Sequence, residues 1–132
     1  MDLIKITPDK EKVKSILNMI NLIEERIKIQ DKTKMSALII TDYYEIIKEL
    51  ITSILLIDGY KTLSHIELIG YIKNNYKEFS EGDISILNSL RILRNRVAYE
   101  GFLIDVSYLE RNENSFKEII KKLKNLVNLK LK

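Results

Sequence analysis

The chain has 132 residues, with 22 Lys or Arg against 19 Asp or Glu, no Cys, no Trp and one His. This length predicts a single domain, residues 1–132, with one hydrophobic core. The missing Cys excludes disulfides and thiolate metal sites, and the lone His65 excludes a histidine-rich metal centre within one chain. The four glycines stand apart, which excludes a glycine-rich phosphate loop. We therefore expect neither a metal nor a cofactor.

The composition is rich in Ile and Lys and poor in Ala and Gln. This bias is typical of proteins that work at high temperature, although an AT-rich genome produces much the same bias. No long stretch is free of charged residues, so we predict no membrane span. The start, Met1-Asp2-Leu3, does not resemble a secretory signal. The sequence therefore predicts a cytoplasmic protein.

Positive charge is concentrated at the C-terminus, where residues 117–132 contain six Lys and one Glu. A basic tail attracts nucleic acid or acidic partners. The alternative, which we prefer, is that these lysines complement a helix dipole and keep a surface solvated. No aromatic residue follows Phe116, so this tail is not a platform on which bases stack.

Apolar residues recur at spacings of three and four along most of the chain, which predicts helices. The first helix is expected from about Pro8 to Ile29, with Thr7 as its N-cap and proline at its first position. The second is expected over 34–58, with Gly59 as its left-handed cap. Its surface is apolar almost all round, which is typical of a central helix or of one partly buried by a second subunit.

Three further helices are predicted in the second half of the chain. One begins at Ser64, which with Glu67 forms a predicted capping box, and ends near residue 76. The next runs from Ser80 to Glu100 and is closed by Gly101. The segment 102–106 is short and apolar and is expected to be an extended connection or a turn, and the last helix covers about 107–129. Strand signals are nearly absent. The predicted fold is an all-α, five-helix, mostly antiparallel bundle.

His65 is the only histidine and directly follows the capping serine of a predicted helix. A side chain in that position is usually exposed, so we expect a surface or capping role, with a catalytic imidazole as the alternative. No carboxylate stands at a Glu-x-x-His or EF-hand spacing. We therefore expect no metal ligands.

The richest polar cluster extends from residue 91 to residue 101. Arg91, Arg94 and Arg96 are three of the five arginines in the chain, and arginine binds planar phosphates and carboxylates with two parallel hydrogen bonds. Arg91, Arg94, Asn95 and Ala98 share one helical face, which the small alanine keeps open. The alternative is structural: these arginines pair with acidic residues and hold helices together. Candidate acidic partners are Glu45, Glu49 and Glu100.

The segment Leu93-Arg94-Asn95-Arg96-Val97-Ala98-Tyr99 resembles the signature of HEPN domains, which are small helical bundles. That signature is an Arg, commonly followed by a polar residue, and then a His after four to six positions. The apolar second helix and the capped third helix resemble the same plan. The resemblance covers about residues 8–129.

The resemblance implies a homodimer in which two motifs meet at a two-fold axis. Many HEPN domains are ribonucleases that need no metal: the Arg contacts the scissile phosphate, its polar neighbour orients that phosphate, and the His promotes attack by the 2′-hydroxyl. Arg94 and Asn95 match the first two positions. Some members are toxins paired with a minimal nucleotidyltransferase, and others are non-catalytic binding modules.

The chain departs from the signature at Tyr99, which stands where the His is expected. A phenol, with a reference pKa near 10, is a poor general base at neutral pH. It can still donate a hydrogen bond to phosphate. We therefore expect binding with weak or no catalysis.

Two arguments from the residues also predict a homodimer. Positions 94 and 99 are about 140° apart around a helix, so a partner chain is needed to bring Arg94 and Tyr99 together. The apolar surface of the second helix is the other argument.

The predicted function is binding of RNA or a nucleotide phosphate in a groove lined by Arg91, Arg94, Asn95, Arg96 and Tyr99. The setting that the resemblance implies is a toxin–antitoxin, nucleotidyltransferase-linked or stress-defence system. One alternative is a structural module that binds an acidic protein partner, and another is an active metal-independent endoribonuclease.

Overall fold

The computed structural model describes residues 3–132; Met1 and Asp2, part of the start from which we expect no secretory signal, lie outside the described residues. The elements are β1 (Ile4–Lys5), α1 (Lys10–Ile29), α2 (Ser36–Asp58), β2 (Tyr60–Lys61), α3 (His65–Asn75), α4 (Glu81–Glu100) and α5 (Val106–Leu131). The prediction of an all-α, five-helix bundle is confirmed, and this bundle is compatible with a HEPN-like plan. The small sheet was not predicted, because two residues per strand are too few to show a period of two.

α2 is the central helix, and α1, α3, α4 and α5 all pack against it. Its apolar residues face every neighbour, so side chains around the whole circumference are buried, among them Ile39, Tyr44, Ile46 and Leu55. Of the two alternatives for this helix, the central position is the one observed. Most of its apolar surface is therefore covered within the chain, Leu38 at 54% exposed being the exception, and this surface no longer argues for a second subunit.

α1 begins later than predicted. Its N-cap is Asp9, whose carboxylate accepts a hydrogen bond of 3.0 Å from the amide of Lys12. Thr7 and Pro8 precede the helix because the chain before it is held extended: β1 pairs with β2 antiparallel, and the Ile6 amide donates to the Gly59 carbonyl. The predicted cap at Thr7 is therefore wrong, since a tertiary contact at the end of α2 decides where the helix can start.

The other helix ends follow local chemistry. Ser80 and Asp83 form a reciprocal capping box at the start of α4, and Gly59 and Gly101 adopt the predicted left-handed conformation after α2 and α4. At the start of α3, the Ser64 hydroxyl oxygen accepts from the Glu67 amide as predicted, but the Ser64 amide donates to the Thr62 hydroxyl oxygen and not to the Glu67 side chain. Half of the predicted box is therefore formed.

Three lysines near the C-terminus tie α5 to the rest of the bundle. Lys122 pairs with Asp83, Lys124 with Glu24 and Lys130 with Asp58, at N–O distances between 2.6 and 2.8 Å. These ion pairs connect α5 to α4, α1 and α2 in turn. Among residues 3–132, no helix combines the length and apolar character needed to cross a membrane.

Candidate functional site

The arginines lie on the C-terminal half of α4, where the helix passes from the core to the surface. Its N-terminal half is anchored by buried apolar residues such as Leu87 and Leu90. Arg91, Arg94 and Asn95 follow and are only half-buried. The rigid anchored half therefore presents their polar groups beside α2.

None of Arg91, Arg94 and Arg96 forms an ion pair within residues 3–132. Glu45 and Glu49 pair instead with Lys48, at 2.7 and 3.4 Å. The structural alternative, in which these arginines pair with Glu45, Glu49 or Glu100, is therefore wrong for the described part of the chain. Their guanidinium groups keep their capacity to bind an external anion.

Arg91 shows the cost of this arrangement. Its Nε is buried, and within residues 3–132 it is the only buried side-chain nitrogen or oxygen without a hydrogen-bond partner. A desolvated donor without a partner costs roughly 1–3 kcal/mol. The fold therefore holds part of this guanidinium out of water at a net cost.

Arg94 lies between Asn95 and Tyr99. Its Nη1 is 3.4 Å from the Asn95 side-chain oxygen, and its guanidinium carbon is 6.0 Å from the centroid of the Tyr99 ring. The expectation that one helix cannot bring Arg94 and Tyr99 together is thus corrected, because the long arginine side chain spans the angle between them. Tyr99 is 79% exposed, so its ring is open to a ligand or a second chain.

Arg96 is separated from the other two arginines in its contacts. Its guanidinium carbon lies 3.8 Å above the centroid of the Phe102 ring, just beyond the end of α4. Arg91 and Arg94, by contrast, both act on the pKa values of residues from α2 and α3. Of the three predicted phosphate-binding arginines, the structure therefore groups Arg91 with Arg94 and holds Arg96 apart.

His65 completes this cluster, contrary to the expectation of an exposed capping residue. His65 is half-buried, and its Nδ1 lies 2.9 Å from the hydroxyl oxygen of Tyr44. Tyr44 belongs to α2 and is almost fully buried. The unprotonated Nδ1 accepts from that hydroxyl, and the protonated form donates to it. Position in the first helical turn was a misleading signal, because the contact that buries His65 comes from a residue 21 positions earlier.

The cluster is electrically positive. Burial and the charges of Lys48 and Arg94 lower the pKa of His65, as does Arg91, while Glu45 acts in the opposite sense. Burial raises the pKa of Tyr44 to about 12, although Arg91 and Arg94 oppose the rise. At neutral pH the site therefore holds a neutral phenol, a mainly neutral imidazole and unpaired guanidinium groups, a combination suited to binding a phosphate and exchanging a proton beside it.

Two members of the cluster, Tyr44 and Lys48, are absent from the sequence-based prediction. They stand four residues apart on α2 and so share a face, but the same spacing occurs throughout the apolar stripe of that helix. Only the packing of α4 and α3 on α2 distinguishes them. No group of three His, Asp or Glu residues within 3–132 is arranged to hold a metal ion.

Comparison of the chain with protein-family models, with curated proteins and with solved structures finds no match.

Proposed function

We propose that this chain is a HEPN-like protein that binds RNA, or the phosphate of a nucleotide, through Arg91 and Arg94, with weak or no catalysis. The observation that supports this most strongly is that the two guanidinium groups have no carboxylate partner within residues 3–132. Glu45 acts on the same imidazole, His65, as the two arginines do, but its carboxylate pairs with Lys48. Unpaired arginines beside a neutral imidazole favour an anionic ligand.

The proposal includes a homodimer in which the two motifs meet. Its support is the exposed apolar surface around the motif: Ile92 is 51% exposed, Tyr99 79% and Leu103 84%. Apolar side chains grouped beside polar ones are typical of an interface with another protein. RNA as ligand makes the cytoplasm the place of action, and a neighbouring nucleotidyltransferase would be the partner that the resemblance implies.

An active metal-independent endoribonuclease is the second candidate, and the position of His65 favours it. The motif lacks an imidazole because Tyr99 stands in the place of the His. His65, at the start of α3, provides an imidazole in the same cluster as Arg91 and Arg94. In the tautomer whose Nδ1–H donates to the Tyr44 hydroxyl oxygen, Nε2 is the unprotonated ring nitrogen and can take a proton from a 2′-hydroxyl.

The binding experiment measures fluorescence anisotropy of a labelled single-stranded RNA with the full chain at low salt. Arg94→Ala is expected to bind at least about tenfold more weakly, the size of one lost charge-assisted contact. Arg111→Ala is the matched control, since Arg111 is exposed on α5 and is expected to change the affinity less than about twofold. Absence of RNA binding, or equal weakening in both variants, would contradict the proposal and leave an acidic protein partner as the better reading of the arginines.

A gel assay of the same RNA in EDTA separates the two candidates. Weak or absent cleavage by wild type, with cleavage gained in Tyr99→His, supports a degenerate site. Cleavage by wild type that is lost in both Arg94→Ala and His65→Gln supports the active ribonuclease instead.

A further inference from the structure

A second candidate site lies between α1 and α5, and neither α3 nor α4 lines it. α1 and α5 both pack against α2, and between them is a cleft of about 640 Å³ to which α4 contributes no residue. This volume is within the range of small-molecule sites, roughly 300–1,000 Å³. The cleft is therefore large enough to enclose a compact ligand and distinct from the arginine cluster.

Ion pairs bridge the cleft at each end. Lys124 on α5 pairs with Glu24 on α1 at 2.6 Å, and Lys32, just after α1, pairs with Glu113 on α5 at 2.8 Å. Positions 113 and 124 are about 16 Å apart along α5 at 1.5 Å per residue. A partner helix running through the groove would have to break both bridges, whereas a small molecule fits between them.

The floor between the bridges is apolar. It consists of the buried side chains Ile27, Ile46 and Ile120 with the ring of Tyr43. The Tyr43 hydroxyl donates to Glu113 at 2.6 Å, which holds this ring in place in the wall of the cleft. A ligand that fills this space must carry an apolar body.

The rim, in contrast, carries unpaired positive charge. Five lysines and two glutamates line the cleft, and the two glutamates are taken up by Lys32 and Lys124. Lys28, Lys117 and Lys121 form no ion pair within residues 3–132, although Lys117 lies near enough to Glu113 to lower the pKa of that carboxyl. Lys117 and Lys121 are four residues apart on α5, a spacing at which like charges repel one another. A negative group placed between them would relieve that repulsion.

We propose that this cleft binds a small organic anion: an apolar body on the isoleucine floor, with one negatively charged group held by Lys117, Lys121 and Lys28. The occupant is a single compact molecule such as an aliphatic or aromatic carboxylate. Inorganic phosphate lacks the body and a neutral hydrocarbon lacks the charge, so each satisfies only half of the site.

The test uses 8-anilino-1-naphthalenesulfonate, which joins an aromatic body to one sulfonate, and follows its fluorescence with the full chain. Saturable binding of one probe per chain is expected. The uncharged analogue N-phenyl-1-naphthylamine should bind at least tenfold more weakly. Decanoate should displace the probe, and the same concentration of inorganic phosphate should not.

Two charge-reversal pairs locate the binding. Lys117→Glu with Lys121→Glu should weaken probe binding at least tenfold. Lys10→Glu with Lys12→Glu changes the net charge equally at the far end of α1 and should alter binding less than twofold; circular dichroism verifies that both variants stay helical. Absence of saturable binding, equal weakening by both pairs, equal binding of the uncharged analogue, or displacement by phosphate as readily as by decanoate would overturn the proposal.

Discussion

Replacing Asp58 by Ala tests how the bundle is closed at the end of α2. The Asp58 carboxylate accepts hydrogen bonds from the hydroxyls of Tyr71 and Tyr76, at 2.7 and 2.6 Å, and from the Lys130 ammonium at 2.6 Å. These donors come from α3, from the residue that caps α3, and from α5. The Asp58 carboxylate thus connects α2, α3 and α5, and the Asp58 side chain is 17% exposed.

The expected loss follows from these contacts. Hydrogen bonds to a charged group contribute about 1.5–3 kcal/mol each, and the lower value applies because this group is partly exposed. Removing a negative charge from the C-terminal end of a helix returns about 0.5–1 kcal/mol. We therefore expect Asp58→Ala to lower the free energy of unfolding by roughly 3.5–4 kcal/mol and Tm by about 10 °C.

Thermal and urea unfolding followed by far-ultraviolet circular dichroism at neutral pH measures this loss. Lys130→Ala removes one of the three bonds and should cost about 1–1.5 kcal/mol. The control is Glu110→Ala on α5, an exposed residue whose loss should cost less than about 0.5 kcal/mol. A loss below about 1 kcal/mol in Asp58→Ala would refute the reasoning, since the three bonds would then contribute no more than an exposed ion pair.

The same contacts set an acid dependence. Burial by itself raises the pKa of Asp58, but the bonds from Lys130, Tyr71 and Tyr76 outweigh it, so the pKa lies below its usual value. The stabilisation is therefore present above the unfolded-state pKa of about 3.9 and is lost as the pH falls through the lowered folded-state pKa. Asp58→Ala should remove that part of the acid sensitivity.

Three further predictions concern single positions. Because the pKa of His65 is lowered in the folded protein, stability should fall as the pH drops from about 7.5 through about 6.5, and His65→Gln should flatten this slope. Gly59→Ala should destabilise the protein by about 1–2 kcal/mol, because φ at this position is +91°. Gly70→Ala should stabilise it by about 0.5–1 kcal/mol, because Gly70 is helical and has open space around it. Urea melts of the two variants measure this difference, and equal effects would contradict the argument. Phe116→Ala should cost about 3–5 kcal/mol in the same melts, because its ring is fully buried, and a loss under 1 kcal/mol would exclude that packing.

The elements that the sequence predicted well are those whose signals are local. Apolar stripes located all five helices, Gly59 and Gly101 located the C-terminal ends of α2 and α4, and Ser80 marked the start of α4. The predicted start of α1 was wrong. Proline is a favourable first helical residue in isolation, which pointed to Pro8, but the pairing of β1 with β2 keeps the chain before Asp9 extended. Local chemistry permits several starts, and tertiary contacts select one.

The candidate site was predicted only in part for the same reason. Arg91, Arg94 and Asn95 share a helical face, which the sequence shows directly. The sequence does not show that Glu45 and Glu49 pair with Lys48 and leave the arginines without a carboxylate partner. Lysine and arginine side chains are long and flexible, so each can reach several carboxylates. Nor does it show that Tyr44 draws His65 into the cluster.

The salt dependence of RNA binding tests most directly whether the guanidinium groups of α4 contact phosphate. Each phosphate contact contributes about 0.7 to the slope of log K against log salt for a single strand. Arg91→Ala with Arg94→Ala should therefore make the slope shallower by about 1.4 between about 50 and 200 mM salt, with Arg111→Ala unchanged. Identical slopes for wild type and the double variant would contradict the account, because they would show that neither arginine releases a counterion when RNA binds.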